Sequence, residues 1–184
     1  MQLCVKKSNI VLTGFMGAGK TTVGKLLARR LNLELVDTDR EIEKKTGMDI
    51  FNIFDKYGEE RFREIETGVV EEVAELSNCV IVTGGGIILR RENIERLRRN
   101  GVVVYLHAEP DVVSKRVIRD KSRPLLQSTE PLEKIKELMN IRKPFYENYD
   151  IKIDTSQLTV EEVVNKIINK NKIINKNKII HSEF

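Results

Sequence analysis

A glycine-rich octapeptide near the start of the chain constrains the fold more than any other feature of the sequence. Residues 14–21, GFMGAGKT, fit the pattern G-x-x-x-x-G-K-[ST] and lie between a β-branched run at 9–13 and an amphipathic helical pattern at 23–31. Glycines allow the backbone N–H groups of such a loop to turn inward, and the following helix N-terminus adds positive potential toward a phosphate. The sequence therefore predicts a phosphate-binding loop in a chain that binds a nucleoside triphosphate.

The side chains of this loop suit the β- and γ-phosphates of a nucleotide. Lys20 supplies a mobile positive charge, and the hydroxyl of Thr21 can ligate Mg²⁺. A glycine-rich turn beside an exposed lysine is the alternative, but the strand before the loop and the helix after it favour the first interpretation. We therefore predict nucleotide contacts from six consecutive residues: Gly17, Ala18, Gly19, Lys20, Thr21 and Thr22.

Short apolar runs alternate with helical patterns along the rest of the chain. Five runs are predicted to be strands, several of them apolar at consecutive positions: 9–13, 33–37, 79–83, 102–106 and 151–154. This alternation predicts an α/β fold in which helices flank a parallel sheet on both faces. Residues 40–76 exceed the length of one crossover and are predicted to form a small helical subdomain, whereas 119–130 are predicted to be a mobile surface segment.

Charge and hydropathy exclude several classes of partner. The chain has 32 basic and 28 acidic residues, but 166–184 hold five lysines and one acidic residue, so 1–165 are neutral with 27 of each. A neutral domain is not predicted to bind nucleic acid. The longest apolar runs are too short to span a membrane, and the first seven residues lack the apolar run of a secretion signal. We expect a cytoplasmic, monomeric protein.

Cysteine and histidine are too scarce for several kinds of site. Two cysteines cannot build a disulfide scaffold or a four-thiolate zinc site, and both are expected to pack as small apolar residues. Of the two histidines, His107 directly follows a predicted strand and is expected to be structural.

The last residues form a repeat that differs from the rest of the chain. Thr159 and Glu162 match a capping box, after which apolar residues keep helical spacing to Ile168. A six-residue repeat, KIINKN, then rotates each Ile-Ile pair by about 240°, so that no helix face stays apolar. We predict one folded domain over 1–170 and a disordered or loosely helical tail over 171–184. A hexapeptide β-helix is the alternative, but it needs more repeats to bury a core.

Carboxylates and glycines follow two of the predicted strands. Asp37 and Asp39 close the second strand, where two-residue spacing directs both side chains to one side at the ligand-binding edge of the sheet. One could hold Mg²⁺ through water and the other orient or deprotonate a hydroxyl, although one could instead only cap the next helix. Gly84, Gly85 and Gly86 follow the third strand and permit close approach of a ligand, or form a plain loop.

Three arginines are candidates for binding anions. Arg63 lies one helical turn from Glu66, so an ordinary solvated ion pair is the alternative to a role in binding. Arg123 and Arg142 each stand in a short segment with proline, and each alone could be a surface charge.

Taken together, these segments resemble the shikimate kinase family of small P-loop kinases. The resemblance covers about 9–168 and depends on six motifs in this order and spacing: GFMGAGK at 14–20, DTD at 37–39, GEERFREIE at 58–66, GGG at 84–86, RPLL at 123–126, and Arg142 with Pro144 and Tyr146. It implies a P-loop NTPase fold with a five-stranded parallel sheet, a substrate-binding helical subdomain and a lid over ATP. It also implies phosphorylation of the shikimate 3-hydroxyl on the route to aromatic amino acids, with ATP as co-substrate and Mg²⁺.

The resemblance implies roles for individual residues. Asp39 matches the residue that contacts the substrate hydroxyls and is the candidate base, and Asp37 joins Thr21 near Mg²⁺. Arg63 and Arg142 match the pair that binds the substrate carboxylate, with Gly84, Gly85 and Gly86 as backbone contacts. Arg123 matches the lid arginine that reaches the phosphates, while Arg116 and Gln157 are expected near adenine.

Two other functions remain open from the sequence. A kinase of another small hydroxylated acid, such as gluconate, would need the same loop and lid, whereas a regulatory module would bind ATP without turnover. Tyr149 stands where the resemblance leads us to expect a small residue, and the repeat tail has no counterpart in the family.

Overall fold

The computed structural model describes residues 7–117 and 131–180. Five strands form one parallel sheet in the order β2-β3-β1-β4-β5: β1 (Asn9–Thr13), β2 (Glu34–Asp37), β3 (Cys79–Val82), β4 (Gly101–His107) and β5 (Ile151–Asp154). All four pairings between neighbouring strands are parallel. The predicted α/β fold and its five strands are confirmed, with bounds that differ by one residue at β2, β3 and β4.

Successive residues of the central strand face opposite layers of helices. Val11 lies in the hydrophobic core on one face of the sheet, whereas Ile10 and Leu12 lie in the core on the other face. All five residues of β1 are buried, since β3 and β4 cover both of its edges. The consecutive apolar positions in the sequence thus reflect a strand that is covered on both faces.

Seven helices surround the sheet in the described part of the chain: α1 (Lys20–Leu31), α2 (Thr38–Thr46), α3 (Ile50–Ala74), α4 (Arg91–Asn100), α5 (Pro110–Val117), α6 (Pro131–Arg142) and α7 (Val160–Ile180). Short 3₁₀ turns occupy Ile87–Leu89 and Lys143–Glu147. No helix among these is both long and apolar enough to cross a membrane.

The segment predicted to be a helical subdomain, 40–76, holds most of α2 and all of α3. Gly58, with φ 76° and ψ 174°, interrupts α3, a conformation that favours glycine. Ile42, Ile53 and Phe62 from these helices join the same core as Val11, so the segment is packed onto the sheet.

The C-terminal helix extends beyond residue 170, where we predicted that the domain ends. The capping box is confirmed, because Thr159 N donates to Glu162 Oε2 at 2.8 Å and Glu162 N donates to Thr159 Oγ1 at 3.3 Å. Val163, Val164 and Ile167 bury the first part of α7 against the sheet. The helix then continues through Ile180, and so includes the first ten residues of the predicted tail.

Candidate active site

The phosphate-binding loop takes a backbone conformation that only glycine adopts easily. Gly17 and Gly19 have φ of 76° and 94°, in the left-handed region. α1 follows Gly19 directly, and this N-cap glycine has no side chain with which to cap the helix. The N–H groups of the first turn are therefore suited to donate hydrogen bonds to an anion.

Lys20 lies inside this loop instead of extending into solvent. Its Nζ donates to the carbonyl oxygens of Gly14, at 2.8 Å, and Phe15, at 3.1 Å. The side chain is 9% exposed and thus already lies within the turn that would surround a phosphate. A charged group held by neutral carbonyls can exchange them for phosphate oxygens, which are stronger acceptors.

A cavity of about 370 Å³ adjoins the outer side of the loop. Arg116 forms one wall, donating to the Gly17 carbonyl at 3.3 Å and to the Thr155 carbonyl at 2.9 Å. The other lining residues come from the loop, α1 and the start of α7: Ala18, Gly19, Lys20, Thr21, Thr22, Val23, Leu158, Val160 and Val163. The cavity combines a positive floor with an apolar side, as a nucleotide requires.

Gln157 does not line this cavity and its side chain is exposed, whereas its neighbours Thr155 and Leu158 do line it. No sequence motif marks Thr155, a buried threonine whose hydroxyl donates to the His107 carbonyl at 2.9 Å.

The aspartates predicted to share one side of a strand belong to two different elements. β2 ends at Asp37, and Asp39 lies in the first turn of α2, so the two-residue strand spacing does not apply. Asp37 caps α2, since its Oδ1 accepts from Asp39 N at 3.1 Å. The predicted helix cap is therefore confirmed for Asp37, which uses one of its two carboxylate oxygens for it.

The glycine triplet lies directly against the predicted substrate residues. Gly84 N donates to the buried Thr38 hydroxyl at 3.0 Å, and a Cβ on Gly84 would collide with Asp39 Oδ1. A Cβ on Gly86 would lie 2.6 Å from both terminal nitrogens of Arg63. The side-chain-free backbone thus leaves room for Asp39 and Arg63 at one edge of the sheet.

Arg63 is held by two glutamates and is not an ordinary solvated arginine. Its guanidinium donates to Glu66 at 2.9 Å and to Glu59 at 3.1 Å, and Arg63 is 8% exposed. The solvated ion pair that we weighed as an alternative is wrong, because Glu66 is 1% exposed. Arg63 Nε is buried and has no protein partner in the described residues.

Burial raises the pKa of Glu66, and the Asp39 carboxylate raises it further, whereas Arg63 lowers it. Asp39, Glu66 and Arg63 therefore form one electrostatic group of two carboxylates and one guanidinium. The sequence spacing indicated that Arg63 and Glu66 could meet, but not that Glu66 would be buried.

Arg142 reaches the same region from the end of α6. Its guanidinium carbon lies 5.7 Å from the centroid of the Phe15 ring in the phosphate-binding loop. Tyr146, one turn later, donates its hydroxyl to the Gly85 carbonyl at 3.1 Å and stacks on Tyr105 at 4.7 Å between ring centroids. Phe15 and Gly85 thus connect the nucleotide loop with the region of Arg142.

The structure brings together Asp39, Arg63 and the glycine triplet, and places Arg142 beside the loop that holds Lys20. Arg123 and the predicted lid at 119–130 lie outside the described residues. Tyr149 is 37% exposed, with its ring 5.9 Å from that of Tyr105.

A parallel sheet with a phosphate-binding loop, with Arg142 beside that loop and Arg63 against the glycine triplet, defines a small P-loop kinase. The family model described as shikimate kinase matches residues 16–172. The chain therefore belongs to the shikimate kinase family.

Individual relatives agree with this assignment. A shikimate kinase from Caldicellulosiruptor bescii is 52% identical over 161 residues, which cover 88% of this chain and 94% of the relative. The structure of shikimate kinase from Acinetobacter baumannii in complex with shikimate superimposes with a TM-score of 0.84 at 44% identity, covering 93% of this chain and 94% of that one. A gluconokinase from Sinorhizobium meliloti 1021 has a TM-score of 0.65 at 17% identity, covers 96% and 98% of the two chains, and shows the fold alone.

Proposed function

We propose that this chain transfers the γ-phosphoryl group of ATP to the 3-hydroxyl of shikimate, with Lys20, Asp39 and Arg123 as the catalytic residues. The observation that carries the proposal is that Phe15 contacts both Lys20 and Arg142. Its carbonyl accepts from Lys20 and its ring lies below Arg142, so one residue joins the phosphate-binding loop to an acid-binding arginine.

On the nucleotide side, the backbone of the loop and the N-terminus of α1 would bind the phosphates. Lys20 would exchange the Gly14 and Phe15 carbonyls for the β- and γ-phosphate oxygens, and Arg123 would neutralise charge on the transferring group. Arg116 and the apolar side of the cavity would contact the adenine end. Gln157 stays a prediction from the resemblance, since its exposed side chain does not line the cavity.

Mg²⁺ would be held by Thr21 and, through water, by Asp37. Both donors are oxygens, as Mg²⁺ prefers, and the Thr21 hydroxyl is exposed at the cavity. Asp37 uses Oδ1 for the helix cap, which leaves Oδ2 directed elsewhere. Bound Mg²⁺ would neutralise charge on the phosphates.

On the substrate side, Arg63 and Arg142 would bind the carboxylate of shikimate, because a planar guanidinium matches a carboxylate in two-pronged geometry. Arg63 is already oriented by Glu59 and Glu66. Asp39 would accept the proton of the 3-hydroxyl as its oxygen attacks the γ-phosphorus and ADP leaves. The backbone at Gly84, Gly85 and Gly86 would close the remaining side.

We further propose that the enzyme acts as a cytoplasmic monomer. Size-exclusion chromatography of the full chain across a range of concentrations tests the oligomeric state.

Two substitutions test the residue roles, because they should fail in different ways. Asp39→Asn keeps size and hydrogen bonding but cannot accept the proton, so kcat should fall by about 10²–10⁴-fold while ATP binding is preserved. Arg142→Lys keeps the charge but loses the fork, so the KM for shikimate should rise with little change in kcat.

Steady-state kinetics with shikimate and its carboxamide separate the roles. If Arg142→Lys impairs the carboxamide as much as the acid, Arg142 does not bind the carboxylate and this assignment fails.

A further inference from the structure

Three side chains of types that can ligate a metal lie close together at the edge of the sheet, outside the site described above. His107 and Asp154 are register partners at the ends of β4 and β5, and Glu109 follows two residues after His107. One ligand atom from each lies within 4.8 Å of the others. His107 Nε2 and Glu109 Oε1 are 3.2 Å apart. The sequence suggested only a structural role for His107.

Contacts from outside the group fix the orientation of two of its members. Tyr105 Oη lies 3.2 Å from His107 Nδ1, on the side of the ring away from Glu109. Ligating histidines ordinarily make such a hydrogen bond from the second ring nitrogen, which selects the tautomer and aims the first.

Ser156 orients the carboxylate side of the group. Its hydroxyl donates to Asp154 Oδ1 at 2.6 Å and its N–H donates to the same oxygen at 2.9 Å. The same hydroxyl accepts from Glu109 N at 3.0 Å. One serine therefore joins the loops after β4 and β5 and directs Asp154 Oδ2 away from these bonds.

We propose that His107, Glu109 and Asp154 bind a divalent transition-metal ion such as Zn²⁺. One imidazole with two carboxylates suits this class better than Mg²⁺ or Ca²⁺, which favour oxygen-only sites. The metal would bind His107 Nε2 in place of a proton, while Nδ1–H donates to Tyr105. Three protein ligands leave the fourth tetrahedral position for water.

The distances require only small side-chain movements. A tetrahedral zinc ion with bonds of about 2.0–2.2 Å holds its donor atoms about 3.3–3.6 Å apart. His107 Nε2 and Glu109 Oε1 are already 3.2 Å apart, so only the carboxylate groups would need to move closer to the ion. Both Glu109 and Asp154 are exposed, so their rotamers can change without repacking the core.

The site adjoins a wall of the nucleotide cavity. Thr155, which accepts from Arg116 at that wall, stands between Asp154 and Ser156. A metal ion that bridges the loops after β4 and β5 would crosslink them and so stabilise this wall of the cavity. The melting temperature should therefore rise as the concentration of free metal rises.

Titration calorimetry with Zn²⁺ on the untagged, metal-stripped full chain tests the proposal in the absence of nucleotide. Replacing Cys4 with serine and His181 with alanine in all samples removes the other histidine and the cysteine other than buried Cys79. We expect one site whose affinity falls at least a hundredfold in His107→Ala and about ten- to a hundredfold in Ser156→Ala, which alters only the orienting contact.

Asp111→Asn is the matched control, since Asp111 is an exposed carboxylate on α5 outside the group and should bind Zn²⁺ normally. Cobalt absorption, with the ligand field of a four-coordinate ion that is lost in His107→Ala, gives a second readout. Equal Zn²⁺ affinity in His107→Ala and the parent, or no saturable binding by the parent, would overturn the proposal.

Discussion

Replacement of Gly86 by alanine should displace the guanidinium group of Arg63, although Arg63 itself is unchanged. The added Cβ would lie 2.6 Å from both terminal guanidinium nitrogens, whereas ordinary contacts begin at 3.4 Å, so the guanidinium must retreat by about 0.8 Å. Gly86 has φ −102° and ψ −3°, which alanine adopts without strain, so the perturbation is steric and local.

That displacement is large on the scale of a two-pronged hydrogen bond. Arg63 donates to Glu59 and Glu66, so the retreat also disturbs these two hydrogen bonds. A hydrogen bond to a charged group contributes about 1.5–3 kcal/mol, which corresponds to roughly ten- to 150-fold in affinity. We therefore expect the KM for shikimate to rise by about that factor while the affinity for ATP is retained.

Gly68→Ala is the matched control, because nothing lies within 4 Å of a Cβ at Gly68, in the middle of α3. It should leave both kinetic constants unchanged and should raise stability by about 0.5–1 kcal/mol through helix propensity. Steady-state kinetics and thermal melting of both variants provide the comparison. A Gly86→Ala enzyme with the KM of the parent would refute the placement of Arg63 in the acid-binding site.

Three further perturbations test other parts of the account. Lys20→Met should abolish turnover in a coupled ADP assay, while the ligand-free chain keeps its fold and loses the hydrogen bonds of Lys20 to the Gly14 and Phe15 carbonyls, about 1.5–3 kcal/mol each for a charged donor; an active variant would contradict its role. Because burial raises the pKa of Glu66 above 4.5, the stability that its proton contributes is full below about pH 4.5 and is lost as the pH rises through the raised pKa. Urea unfolding over this range should show the decline, and Glu66→Gln should remove it; the same slope in both proteins would contradict this. Ending the chain after Lys170 should leave activity unchanged, with a melting temperature within a few degrees, because the core contacts of α7 come from Val163, Val164 and Ile167.

The sheet and the phosphate-binding loop could be predicted because their signals are local. Consecutive apolar positions in β1 report burial on both faces, and the glycines at 17 and 19 report backbone angles that other residues avoid. The capping box at Thr159 likewise depends on residues three apart.

Features that depend on long-range packing could not be predicted from the sequence. Whether Glu66 is solvated or buried is decided by the glycine triplet and α2, which lie far from it in the chain. The prediction that Asp37 and Asp39 share one side of a strand is wrong, because β2 ends at Asp37. Asp37 caps α2, and Asp39 therefore lies in the first turn of that helix. Thr155 entered the nucleotide cavity with no motif to mark it.

The central claim is that the chain phosphorylates shikimate. The most direct test is the rate of ADP formation from ATP with shikimate as the acceptor, compared with the rates for gluconate and for nucleoside monophosphates. The account predicts turnover with shikimate, far slower turnover with the others, and a product that carries phosphate on the 3-hydroxyl by phosphorus and proton NMR. Equal or faster turnover with gluconate, or ATP binding without turnover on any acceptor, would contradict it.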